Sequence, residues 1–225
     1  MANKSNIFYI SVILWITSLI SCGESNRQED FSYDIQATLT LRQEKNAYFL
    51  NSPDSPLTEE DISNRSPLSY FPPDQSYIVR AVLVPAKTKD TIVMSTTKDT
   101  VTKKMKLMGA MTFALKDNQY KLNAYIPLKS LEKNPDGPYY LFIPFTDLTN
   151  GKETYAGGRY IDIPLAEGFE YLIDFNEAYN PYCAYNKSYT CPIVPESNHI
   201  SIEVEAGEKK FVSIDSADHS SNAFE

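Results

Sequence analysis

The sequence predicts one mainly β domain, an antiparallel barrel or sandwich with an N-terminal helix and a long ordered loop rich in tyrosine and proline. Three observations carry this reading. Between residues 77 and 175, short β-branched and aromatic runs alternate with Gly, Pro, Asn and Asp turns. One stretch near the start, Asp30 to Leu50, has a helical period with no proline or glycine. Residues 176–195 follow neither period, yet they hold several tyrosines, a side chain that buries its ring and keeps a hydroxyl for bonding.

Taken in order, Phe31, Ile35, Leu39, Arg42 and Tyr48 mark one face of the helix. Pro53 and Pro56 end it, since proline offers no amide donor and restricts the residue before it. Thr58 ahead of Glu59-Glu60-Asp61 predicts a short capped helix. Strands follow over Tyr77–Val84, Thr91–Ser95, Val101–Leu107, Gly109–Leu115 and Tyr120–Ile126, the last pair joined by the turn Lys116–Gln119. Tyr139–Phe145 is a further strand. Asn150-Gly151 predicts a hairpin from it into Glu153–Tyr155, because this pair readily adopts the positive φ angles of a tight turn. Arg159–Ile163 and Phe169–Phe175 come next, and a last strand is expected near His199. No internal repeat is present.

The N-terminus predicts an address. Lys4 precedes an uncharged run from Ile7 to Ile20, too short for a bilayer span of about 20 residues but suited to the apolar core of a secretory signal. The run closes Leu19-Ile20-Ser21-Cys22, a small side chain before a thiol, as a lipoprotein signal peptidase requires. Residues 1–21 are therefore expected to be a lipoprotein signal peptide, with Cys22 the lipidated residue and 22–29 a polar tether. Residues 30–211 form the single β-rich domain, and 212–225 a flexible tail. The expected location is the bacterial cell envelope, anchored to the outer membrane through the Cys22 lipid and facing the periplasm. Lys4 is the only charge lost with the signal, so the formal charge of -8 becomes slightly more negative. Such a surface argues against nucleic acid as a partner.

Much of the chain resembles the bacterial and archaeal domain of unknown function 1684 family. The likeness rests on Thr154-Tyr155, Gly157-Gly158-Arg159-Tyr160, Asp174 through Pro181, Cys183-Ala184-Tyr185, Cys191-Pro192, Asn198 and Ala206 to Lys209. Ser55-Pro56-Leu57 and Tyr70-Phe71-Pro72 match upstream, so the likeness runs roughly from the first helix to Lys209. It implies no activity, and members that look cytoplasmic share the two cysteines.

Read chemically, the segment after Glu153 offers three functions. The first is a binding module, in which Arg159, Asn176, Tyr179, Asn180 and Tyr182 orient a small polar or anionic ligand under the loop. The second is a structural or interaction lipoprotein whose Arg159 pairs with Asp174 on the next strand. The third is a carboxylate-based hydrolase using Asp174 with Glu177 or Glu205. Gly157-Gly158 allows positive φ, read as a bulge rather than a phosphate loop because a strand follows. Cys183 and Cys191 admit a disulfide, a reduced buried pair, or a metal site with His199. The disulfide is favoured by the compartment, and the wide cysteine spacing weighs against metal. No Walker, HExxH or EF-hand sequence calls for a cofactor or metal, and no serine elbow accompanies the two histidines.

Overall fold

A computed structural model describes residues 33–88, 91–133 and 137–213. The expected signal peptide, Cys22 and the expected tether lie outside these residues, as does most of the expected tail. The order of elements is α1 (Ile35–Asn51), α2 (Glu59–Ser63), β1 (Ile78–Pro85), β2 (Thr91–Ser95), β3 (Thr102–Leu115), β4 (Asn118–Pro127), α3 (Leu128–Lys133), β5 (Tyr140–Phe145), β6 (Arg159–Pro164) and β7 (Glu170–Asp174).

Six strands, ordered β6-β5-β4-β3-β1-β7, make a near-closed antiparallel barrel, and β2 extends β3 at one end. Alternation fills the interior. Ala81 and Leu83, Met111 and Phe113, Leu122 and Ala124, and Ile161 and Ile163 all point into one buried core. The edges β6 and β7 share no ladder. The chain just past β7 closes the gap instead, where Tyr160 and Tyr179 exchange two main-chain bonds of 2.9 Å.

β3 is one strand where the sequence suggests two. Gly109 looks like a break, but it sits at a register shift between Leu107 and Gly109, and the strand continues through it. A side chain there would meet the Val84 carbonyl oxygen, 2.2 Å from where its Cβ would lie. The tightest hairpin turn is Lys116-Asp117, both at positive φ (47° and 63°), joining β3 to β4. Asn150-Gly151 does form a turn, with Gly151 at φ 81°, but it leads to an isolated bridge from Asn150 to Thr154 and no strand at 153–155. The partner of β5 is β6. Helix α3 was not expected. The segment near His199 is no strand; it bridges to Thr146 at a single position.

Helix α1 starts at Ile35, where Asp34 caps it by accepting from the amides of Gln36 (2.9 Å) and Ala37 (3.2 Å). Its inward face is Thr38, Arg42, Lys45 and Phe49, at helical spacing but rotated from the expected apolar stripe, and Ile35 and Tyr48 are exposed. Polar groups therefore do most of the docking. Thr58 caps α2 as the sequence indicates, accepting from the Asp61 amide at 3.1 Å.

The long loop is ordered and lies along the outside of the barrel. Its Tyr179 and Val194 cover Tyr125, Phe142 and Tyr160, which point outward from β4, β5 and β6. A third cluster, Phe49, Leu57, Leu68 and Tyr185, joins the loop to the helical N-terminal part.

Candidate functional site

The buried carboxylate of Glu208 organises the junction of α1, the loop and the C-terminal segment. One oxygen takes an ion pair from Lys45; the other accepts from the Asn180 amide at 2.8 Å and from the Tyr185 hydroxyl. Lys45 also lies 5.1 Å from the centre of the Tyr179 ring. One turn away on α1, Arg42 donates to the carbonyls of Phe71 (2.7 Å) and Asn176 (3.1 Å), with its guanidinium 4.7 Å from the Tyr70 ring centre.

Between these groups is a cavity of about 260 Å³, lined by Thr38, Leu41, Arg42, Lys45, Tyr70, Asn176, Glu177, Ala178, Tyr179 and Glu208. Among the described residues, two donors on its walls are buried without a partner, the Tyr70 hydroxyl and the Arg42 Nε. The Tyr70 phenol is pushed well above its ordinary range, first by burial and then by the charge of Glu208. It therefore stays protonated and able to donate. Glu177, at the rim, is raised by the protein packed around it and by Asp174.

The expected site residues divide. Asn176 and Tyr179 line the cavity, and Glu177 borders it. The Asn176 side chain, however, is occupied with the main chain of Asp74, accepting at 2.9 Å and donating at 2.9 Å, and it also donates to Asp174 Oδ1. Asn180 uses its amide group on the Lys209 carbonyl at 2.7 Å. Tyr182 packs on Phe49 and Tyr189 away from the cavity walls. Tyr179 donates to Asp162 at 2.6 Å.

Arg159 corrects the expected pairing. It is fully buried and pairs with Asp147 at 2.8 Å, not with Asp174; its two terminal nitrogens also reach the carbonyls of Val204, Ala206 and Glu208, while its Nε has no partner among the described residues. Asp174 instead accepts from Asn176 at the end of β7. The reason is topological: β7 pairs with β1, so residues facing each other along β6 and β7 were never ladder neighbours. Glu205 lies beside Tyr77, whose hydroxyl accepts from its amide at 3.2 Å, and it is not on the cavity wall with Glu177. Gly158 takes φ 88° as expected, but in a turn before β6 with no register shift, and its Cα faces the Phe145 carbonyl.

The expected Cys183–Cys191 disulfide is absent here; both are free thiols. They are nevertheless neighbours, with the Cys183 amide donating to Cys191 Sγ at 3.2 Å. His199 bonds Thr146 at 3.0 Å, and among the described residues no three His, Cys, Asp or Glu side chains gather as for a metal ion.

A family model described as a protein of unknown function, DUF1684, matches residues 65–209. The chain belongs to the DUF1684 family. The match ends at Lys209, where the resemblance in the sequence also ends, but it begins at Arg65, beyond α1 and Ser55–Leu57. The DUF1684 chain is also similar to the uncharacterized protein from gene locus rrnAC0354 of Haloarcula marismortui, solved by solution NMR. The two share 32% identity over 77% of this chain and 92% of that one, with a TM-score of 0.58. No curated protein matches.

The cavity draws on both sides of the family boundary. Tyr70, Asn176–Tyr179 and Glu208 fall within the matched residues, whereas Thr38, Leu41, Arg42 and Lys45 come from α1 outside them. Lys45, Tyr70 and Glu208 were not among the sequence candidates. One sequence signal was available for this wall: Arg42 is a charged residue within the expected apolar stripe Phe31, Ile35, Leu39 and Tyr48 of the helix.

Proposed function

We propose that this DUF1684 chain is a lipid-anchored cell-envelope protein that binds a small molecule carrying an acceptor oxygen, a carboxylate or carbonyl, between α1 and the 176–179 turn. The unpartnered donors of Tyr70 and Arg42 on the cavity wall carry this reading. A buried donor without a partner costs about 1–3 kcal/mol, which an incoming ligand oxygen recovers. The cavity, about 260 Å³, is below the roughly 300–1,000 Å³ typical of drug-sized ligands, so the ligand is small. Leu41 and the Tyr179 ring supply apolar surface beside these donors. The anchor rests on Ser21-Cys22 after the apolar run.

Isothermal titration of the detergent-solubilised full chain with short-chain and aromatic monocarboxylates, and their amides, tests the reading. At least one class should bind the wild type. Tyr70→Phe should weaken it about tenfold, the loss of one hydrogen bond of roughly 1.4 kcal/mol. Leu41→Trp, which fills the cavity mouth, should abolish it. Heats that are absent from the wild type, or unchanged in both variants, overturn the proposal. They would favour the second reading, a structural or interaction lipoprotein. That alternative is supported by the internal use of Arg159, Asn176 and Asn180.

A further inference from the structure

Cys183 and Cys191 take no part in the cavity, and their surroundings differ in a way that suits chemistry. Cys183 is half-buried and Cys191 buried. The Tyr155 hydroxyl lies 3.8 Å from Cys183 Sγ, and the Cys183 amide reaches Cys191 Sγ at 3.2 Å. Cys191 is fixed from behind, since its amide donates to Thr97 Oγ1 at 3.1 Å and its carbonyl accepts from the Thr97 amide at 2.9 Å. The Ile193 amide bonds the Ser95 carbonyl at 2.9 Å, and the Tyr160 hydroxyl bonds Pro192. The loop is thus pinned to the barrel by hydrogen bonds without a covalent staple, so its placement does not depend on a disulfide.

We propose that Cys183 and Cys191 form a reversible dithiol site that exchanges with low-molecular-weight disulfides, the accessible Cys183 attacking and the buried Cys191 resolving. In the first step the Cys183 thiolate attacks one sulfur of the small disulfide. That S–S bond breaks, a mixed disulfide forms, and one small thiolate leaves and takes a proton from water. In the second step Cys191 gives up its proton and attacks Cys183 Sγ, and the second small thiolate leaves. The protein loses two electrons and two protons, and the small disulfide becomes two thiols. The environment matches this order. The Cys183 thiol is held down to about 6, first by the hydrogen bond from Cys191 and then by that from Tyr155, against the opposing effect of burial. Cys191 is pushed up chiefly by sharing its proton with Cys183. Once Cys183 is in the mixed disulfide its charge is gone, so the main restraint on ionising Cys191 is lifted.

The test uses the reduced full chain in detergent, treated with oxidised glutathione and followed by intact mass and peptide mapping, which separates Cys22. The wild type should end two hydrogens lighter, with Cys183 linked to Cys191 and no lasting adduct, and should return with dithiothreitol. Cys191→Ser should stop at one glutathione on Cys183, and Cys191→Ala should do the same. Cys183→Ser should slow all reaction by about tenfold or more, because the buried, protonated thiol is left. A wild type that stays unmodified, or that accumulates an adduct on Cys183 without closing, overturns the proposal, and neither outcome depends on a variant folding. Preferential labelling of Cys191 in Cys183→Ser at the wild-type rate overturns the assigned roles.

Discussion

The side chain of Asn198 bonds both main-chain groups of Asn123: its Oδ1 accepts from the Asn123 amide at 3.0 Å, and its Nδ2 donates to the Asn123 carbonyl at 2.9 Å. The same Nδ2 donates to the Pro144 carbonyl at 2.7 Å. Asn123 lies on β4 and Pro144 on β5, two strands whose ladder has one paired position, Tyr125 opposite Phe142. A fully buried amide side chain therefore fills the gap between them, imitating a peptide unit of a missing strand. Asn198→Ala should destabilise the domain by roughly 2–4 kcal/mol, since three main-chain groups lose their partner in a site closed to water. Asn198→Asp should be at least as damaging near neutral pH, because a carboxylate would face two carbonyls. Urea unfolding measures both; an Asp variant as stable as the wild type would refute this role.

Arg159 and Asp147 make the second buried polar join. Asp147 uses its other oxygen on the amides of Thr149 (2.8 Å) and Val204 (3.3 Å), so it ties the β5–β6 connection to the C-terminal segment. Removing one member of such a pair leaves the other charge buried and uncompensated, at a cost of about 3–5 kcal/mol. Asp147→Ala should show that loss in denaturant midpoint, and ligand binding should follow stability rather than fall separately. A variant within about 1 kcal/mol of the wild type would contradict the structural reading of Arg159.

These two joins mark where the sequence could be read and where it could not. Strand positions were legible because inward and outward residues alternate, and the Thr58 and proline signals at the helices are local. β3 was split because a glycine at a bulge looks like the end of a strand. Helix α3 is only six mixed residues directly after Pro127, too short for a periodic signal. The site was half legible. Asn176, Glu177 and Tyr179 are consecutive enough to stand out, but Arg42, Lys45, Tyr70 and Glu208 meet only in the fold, from three distant segments. Pairing Arg159 with Asp174 assumed that strands next in sequence lie side by side, and the barrel instead sends β7 to β1.

The proposed lipid anchor makes a prediction that is independent of the domain. A cell expressing the full chain should incorporate labelled palmitate into it, and the product should partition into the detergent phase. Cys22→Ala should abolish both, because the thiol proposed to receive the lipid is gone. Label retained on that variant would remove Cys22 from the anchor and, with it, the proposed location.

Cys183 sets a pH dependence whose sign follows from its surroundings. The groups facing it are Tyr155, Cys191 and Thr97, with Lys103 acting through Cys191. Its folded-state value of about 6 lies below the ordinary thiol value of about 8.5, so the folded form holds fewer protons in that interval. The resulting stability is fully present near pH 8.5 and is lost as pH falls through about 6. The difference in unfolding free energy between wild type and Cys183→Ser should therefore grow from about pH 6 to about pH 8.5. Above that range Cys191, held protonated by the shared hydrogen bond, turns the slope back. Alkylation of Cys183 by iodoacetamide, followed on its peptide, should rise with a midpoint of about 6. The midpoint should move upward in Cys191→Ala, because the first cause of the depression is removed. A midpoint in the ordinary thiol range in the wild type, or one that Cys191→Ala leaves in place, would mean that the two sulfurs do not share a proton.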